Sequence, residues 1–121
     1  MRKQKLVLFG GTGGLGKQLV DHLGEYEVIP IGSKSVDVTD FKETQKFFNN
    51  NDIDIVINMS GYNYNSPIHK YNESNIHEVT KQTDVVVKGT MNILSCCLPQ
   101  MRKKGYGRII LTSSILSSKP V

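Results

Sequence analysis

A chain of 121 residues is sized for one domain around one core. Its 38% hydrophobic and 21% charged residues, without repeats or low-complexity tracts, exclude a mainly disordered or fibrous protein. The net charge of +4 brings nucleic acid into question, but the basic residues are dispersed apart from Arg2, Lys3, Lys5 and Arg102 to Lys104, and the aromatic residues do not interleave with them, so no nucleic-acid partner is expected.

No apolar segment approaches membrane-spanning length, so no membrane association is expected, and the run Leu6 to Phe9 is too short for a signal peptide. Cys96 and Cys97 are adjacent, which suits two small buried hydrophobes better than a bridge or a spaced metal site. A cytoplasmic protein without a bound metal is the resulting expectation.

Lys5 to Phe9 (KLVLF) ends at glycines and is predicted to be a strand buried on both faces of a parallel sheet. A helix follows, with Leu15, Leu19, Val20 and Leu23 on its inner face, His22 in solvent and Gly24 as its C-terminal cap. Glu27 to Ile31 (EVIPI) is the second strand, with Pro30 near its end or at an irregularity because proline cannot donate to the ladder. Asp40 and Glu43 form a capping box, contributing about 1 kcal/mol, that opens a helix carrying Phe41, Phe47 and Phe48.

Ile53 to Met59 is the third strand, and Tyr62 to Asn75 is polar and irregular. From about Ile76 to Lys103 the positions Ile76, Val79, Val86, Ile93, Cys97 and Met101 recur at helical spacing, predicting one long helix bent by Pro99 and stopped by Gly105 and Gly107. Arg102 to Lys104 would then sit at its C-terminus, where the helix dipole favours cations. Arg108 to Thr112 is the last strand. This alternation predicts an α/β fold, a Rossmann-type doubly wound parallel sheet with right-handed crossovers. In such a sheet ligands bind at the C-terminal ends of the strands. The segments GGTGGLG, GSKS, NMSG and TSS all fall there.

The stretch from Gly10 to Gln18 accommodates several phosphate-binding patterns. A triphosphate loop needs a hydroxyl after its lysine and an acid at the end of another strand to hold magnesium. Gln18 follows Lys17 and the third strand ends in Asn58, so neither requirement is met. The dinucleotide pattern remains: a tight turn, close approach of backbone to the pyrophosphate, and close packing of helix on strand. An NAD site usually places an acid about 20 residues further on to bind the ribose diol. Gly32, Ser33 and Lys34 stand there instead, and a charge-assisted bond to a 2′-phosphate would contribute about 1.5 to 3 kcal/mol, which favours NADP over NAD.

With these residues in place the chain resembles the short-chain dehydrogenase/reductase family. The matches are GGTGGLG, the pair Asp37-Val38, Asn58-Met59-Ser60-Gly61, and GRIILTSS, in order and over essentially the whole length. Features such as KGTMNILSCCLPQM look more like the single-domain branch of carbonyl and alcohol reductases than the extended branch of nucleotide-sugar epimerases and reductases. The resemblance implies an NADP-dependent oxidoreductase acting on a small carbonyl or alcohol substrate, forming a homo-oligomer when full length. It implies cofactor contacts from Gly10, Thr12, Gly13, Gly14, Leu15, Gly16, Ser33, Lys34, Asp37, Val38, Asn58, Ser60 and Gly61, with Gly10, Gly14 and Gly16 as the preferred glycine register. Ser114 would be the catalytic serine that hydrogen-bonds the substrate carbonyl.

Three departures qualify the resemblance. Val86 stands where the family has an asparagine supporting its proton relay, and the connection from Ile31 to Asp37 is too short for the family's usual helix. The family's Tyr-x-x-x-Lys pair has no counterpart here, which suggests residues 1–121 are the N-terminal portion of an NAD(P)-binding Rossmann domain, lacking the C-terminal strands and helices, with the last strand left as an edge. A non-catalytic NADP-binding module is the alternative reading.

Overall fold

The computed structural model describes residues 2–61 and 67–112. Strands β1 (Lys5–Phe9), β2 (Glu27–Ile31), β3 (Ile55–Asn58) and β4 (Arg108–Leu111) form one sheet in the order β2-β1-β3-β4, every pair parallel. The chain moves from β1 to β2 on one side, then returns past β1 to β3 on the other. The strand order therefore reverses between β1 and β3, the position where such sheets open a crevice.

The two central strands, β1 and β3, supply two cores because successive side chains point to opposite faces. Val7, Phe9 and Val56 face one layer with Phe48, Ile93, Cys97 and Met101, while Leu6, Leu8, Ile55 and Ile57 face the other with Leu19, Val20 and Leu23. Helix α1 (Gly14–Val20) thus covers one face, and α2 (Phe41–Asn50) and α4 (Gly89–Lys104) cover the opposite one. Phe9, Phe47 and Phe48 meet with ring centroids 5.2 to 6.0 Å apart, fixing α2 to β1 through the aromatic payload of three side chains.

Several local expectations shift. Leu15 is 69% exposed, because α1 ends at Val20 and only Leu19, Val20 and Leu23 reach the sheet. Gly24 does not cap that helix; Asp21 does, and the Gly24 carbonyl accepts from Lys3 Nζ at 3.1 Å. Pro30 sits on edge strand β2, where a missing donor is tolerated. Asp40 caps α2 by accepting from the Glu43 amide at 3.2 Å, but Glu43 reaches back to the Asp37 amide rather than to that of Asp40. Phe41 is exposed.

The long helix is continuous from α3 (Ile76–Thr83) through a π-helical segment at 84–88 into α4. Pro99 lies within α4, and Gly105, left-handed at φ 76°, ends it. A π turn inserts an extra residue and rotates the helix before it relative to the helix after it. Ile93, Cys97 and Met101 accordingly face the core as expected, joined by Gly89, whereas Ile76 and Val86, about half exposed, do not. Between Ile31 and α2 there is neither a helix nor a further strand; a turn closed by the Ser35 and Val36 amides on the Gly32 carbonyl carries Val36 and Val38 directly into the core.

Candidate cofactor cleft

The C-terminal ends of β1 and β3 meet the glycine turn, and the turn's sterics come from backbone contact. Gly10 adopts φ +85°, and a Cβ there would lie 2.8 Å from the Met59 carbonyl group. Only glycine fits both constraints. A Cβ on Gly16 would overlap the Gly10 carbonyl oxygen, so α1 starts as close to the turn as two backbones permit. A Cβ on Gly13 would make only an ordinary contact, 3.6 Å from the Gly10 carbonyl oxygen, and Gly14 faces open space. Backbone bonds hold the turn: Gly10 N donates to Ile31 O at 2.8 Å and Gly13 N to Gly10 O at 3.3 Å. Gly13 caps α1 without a side-chain bond, and no acid lies in the helix's first turn. The positive end of the helix therefore faces outward without an internal counter-charge.

Beside this turn a cleft of about 720 Å³ is lined by Gly10, Thr12, Gly13, Ser33, Asp37 and Val38, together with Thr39, Met59, Ser60 and Gly61. A further wall, which the sequence patterns did not single out, comes from His77, Thr80, Lys81, Asp84 and Val85. Of the sequence-expected residues, Gly14, Leu15, Gly16, Lys34 and Asn58 are outside the lining. Gly16 and Asn58 support it from behind. Asn58 is buried; its Oδ1 accepts from the Ser60 amide and hydroxyl, while its Nδ2 donates to Thr90 Oγ1 at 3.2 Å. Thr90 in turn donates to the Val86 carbonyl, so the end of β3 is tied to the π turn. Thr90 carried no signal in the sequence, since a lone helical threonine belongs to no motif. Ser114 lies outside the described residues.

The loop after β2 is fixed against the long helix. Asn92 Nδ2 donates to Val38 O at 2.8 Å, and Gly89 lets Val38 approach so closely that a Cβ would sit 2.7 Å from its Cγ2. Asp37 Oδ1 accepts from both the amide and the hydroxyl of Thr39, at 3.0 and 2.7 Å, which holds that carboxylate to its own loop. The cleft thus has a backbone-lined anion-accepting end at the glycine turn and an apolar and polar end around Val38. That combination suits an elongated ligand carrying phosphate at its middle and a flat ring at one end. Gly13, in the lining, leaves the cleft free of a side chain beside the turn, which fits a pyrophosphate there.

Comparison with known proteins bears on the fold and the family. An uncharacterized oxidoreductase of Staphylococcus epidermidis is 35% identical over 68 residues, covering 56% of this chain and 28% of that protein. The crystal structure of a short chain dehydrogenase from Leptospira borgpetersenii with bound NAD+ matches 100% of this chain and 55% of its own length, with a TM-score of 0.84 at 23% identity. A short chain dehydrogenase from Burkholderia cenocepacia in complex with NADP matches 98% of this chain and 56% of its own, with a TM-score of 0.78 at 21% identity. The chain therefore spans little more than half the length of these solved structures. The family model described as short chain dehydrogenase matches residues 7–121, from the first strand through the glycine turn and onward, and the chain belongs to that family.

Proposed function

We propose that this chain is the cofactor-binding part, residues 1–121, of an NADP-dependent oxidoreductase that acts on a small carbonyl or alcohol substrate. The observation that carries the reading is the cleft at the strand-order reversal, walled by Gly10, Thr12, Gly13, Ser33, Val38 and Gly61. In it, the amides at the start of α1 would hold the pyrophosphate, Val38 would pack beside the adenine, and Ser60 and Gly61 would border the nicotinamide side. The bound nicotinamide supplies hydride chemistry. The protein's part would be to orient it: Asn58 fixes Ser60 through the Ser60 amide and hydroxyl, at the end of β3 where the ring would be bordered. Ser33, at the end of β2, donates without repelling a 2′-phosphate, which supports the choice of NADP. Ser114 is proposed as the group that hydrogen-bonds the substrate carbonyl, and a homo-oligomer as the working form of the full-length enzyme.

Titration of the purified chain with NADPH and NADH, followed by nucleotide fluorescence, tests this. Tighter binding of NADPH is expected, weakened in Ser33→Ala. Absence of binding by either nucleotide removes the reading, and equal affinities unaffected by Ser33→Ala remove the preference for NADP. Coding sequence beyond Val121 with a Tyr-x-x-x-Lys pair shortly downstream is expected for the catalytic form. A non-catalytic NADP-binding module is the second reading. It is favoured by Val86, half exposed and without a hydrogen-bonding side chain at the relay position.

A further inference from the structure

Helix α3 turns a polar, exposed face to the cleft. His77, Thr80, Lys81, Asp84 and Val85 recur at the i, i+3, i+4, i+7, i+8 spacing of a single helix face, and all five line the cleft. Ile76, Val86 and Val87 point away and are half exposed or more. The π turn at 84–88 lies between this face and the core-facing row that begins at Gly89. π turns of this kind are frequent at functional sites. A concave surface lined by such a polar stripe is suited to a polar, charged occupant.

Within this wall Lys81 carries the permanent positive charge, while Lys34, the cation the sequence offered for the same purpose, is exposed and outside the lining. The carboxylates in the lining are Asp37 and Asp84. Asp37 is engaged by Thr39, and Asp84 lies one turn beyond Lys81 on its own stripe. An ammonium has three donors, so a bond from Lys81 within the protein leaves capacity for a ligand oxygen.

We infer that Lys81 is a specificity-determining residue for the phosphorylated adenosine end of the cofactor, acting from the α3 wall of the cleft that Ser33 borders from the β2 side. The inference rests on the dinucleotide reading above. The phosphorylated and unphosphorylated cofactors differ by one phosphate bearing up to two negative charges, and a lysine in the wall responds to that difference. The glycine turn and Val38 meet both cofactors alike.

The test uses the 121-residue chain and two fragments of the adenosine end, adenosine 2′,5′-bisphosphate and 5′-AMP, with dissociation constants from calorimetric titration. Lys81→Ala and Lys81→Gln are compared with the unsubstituted chain, and thermal unfolding is recorded for each. The expected result is a loss of roughly tenfold or more for the bisphosphate in both variants, with 5′-AMP and the unfolding midpoint nearly unchanged. Equal losses for both ligands, or none for either, overturn the inference while leaving the dinucleotide reading intact. If the unsubstituted chain binds neither these fragments nor NADPH and NADH, both readings fall together.

Discussion

The two ends of the sheet both collect polar groups, and they do so to opposite effect. At the N-terminal end, Asp54 is 4% exposed and fully partnered: Oδ1 accepts from Lys104 Nζ at 2.9 Å, and Oδ2 from the Lys5 amide at 2.9 Å and Arg2 at 3.4 Å. Lys104 also donates to Asp52 and to the Ile53 carbonyl, and Gln100 accepts from the Ile53 amide while donating to Phe48 and Asn51. The C-terminal end of α4 is thereby stitched to the starts of β1 and β3. At the C-terminal end of the sheet, by contrast, the polar residues surround a cleft, and backbone amides at the glycine turn face outward from a helix start with no side-chain cap. One end is closed by internal bonds to its polar groups; the other is an open cleft with polar groups in its lining. Stability and binding are therefore separable by position along the same strands.

The largest effect that would break this contrast is at the closed end. Asp54→Ala strands the Lys5 amide and strips Lys104 of a buried partner, and should cost about 3 kcal/mol in urea unfolding with nucleotide affinity little changed. A loss of affinity as large as the loss of stability would show the two ends to be coupled. At the open end, Gly16→Ala forces α1 away from the Gly10 carbonyl and should cost about 1 to 3 kcal/mol while also abolishing nucleotide binding. Gly13→Ala sharpens the division: its Cβ would make only an ordinary contact, 3.6 Å from the Gly10 carbonyl oxygen, so stability should change by less than about 0.5 kcal/mol while binding is lost.

The smallest effect is the pH dependence of the closed end. Burial alone would raise the Asp54 carboxyl, but the bonds from Lys104 and the Lys5 amide and the charges of Lys104 and Arg2 outweigh it and hold the group below its ordinary value of 3.8. A carboxyl depressed in the folded state contributes stability above its unfolded pKa and loses it as pH falls through the folded one. Lys104 is shifted upward: burial opposes its charge, but Asp52 and Asp54 outweigh that, so its contribution is complete below 10.5 and fades at higher pH. The unfolding free energy should therefore decline below about pH 4, and Asp54→Asn should flatten that acid limb in urea titrations taken at successive pH values. An unchanged acid limb in the variant would assign the decline to other carboxylates.

The order and type of the elements were legible in the sequence because their signals are local. KLVLF and IVIN carry the continuous apolar run of a strand buried on both faces, EVIPI that of a half-buried edge strand, and each ends where polar or glycine residues begin. Asp40 capped its helix where its spacing to Glu43 required. The glycine turn was legible for the same reason, since Gly10 and Gly16 answer to contacts within their own loop and to the strand beside it. The α3 wall was not. Helical periodicity assumes 3.6 residues per turn throughout, and the π turn at 84–88 broke the count, so Ile76 and Val86 were assigned inward when Lys81, Asp84 and Val85 line the cleft.

By itself, then, the sequence determined the parallel α/β class, the place of the glycine turn and the residues at the strand ends, because strand burial, capping and backbone sterics act over a few neighbours. Tertiary structure alone decided which side chains share the cleft. That depends on the rotation introduced by the π turn and on the clamp of Val38 against Gly89 and Asn92, contacts between segments some fifty residues apart that no local pattern records.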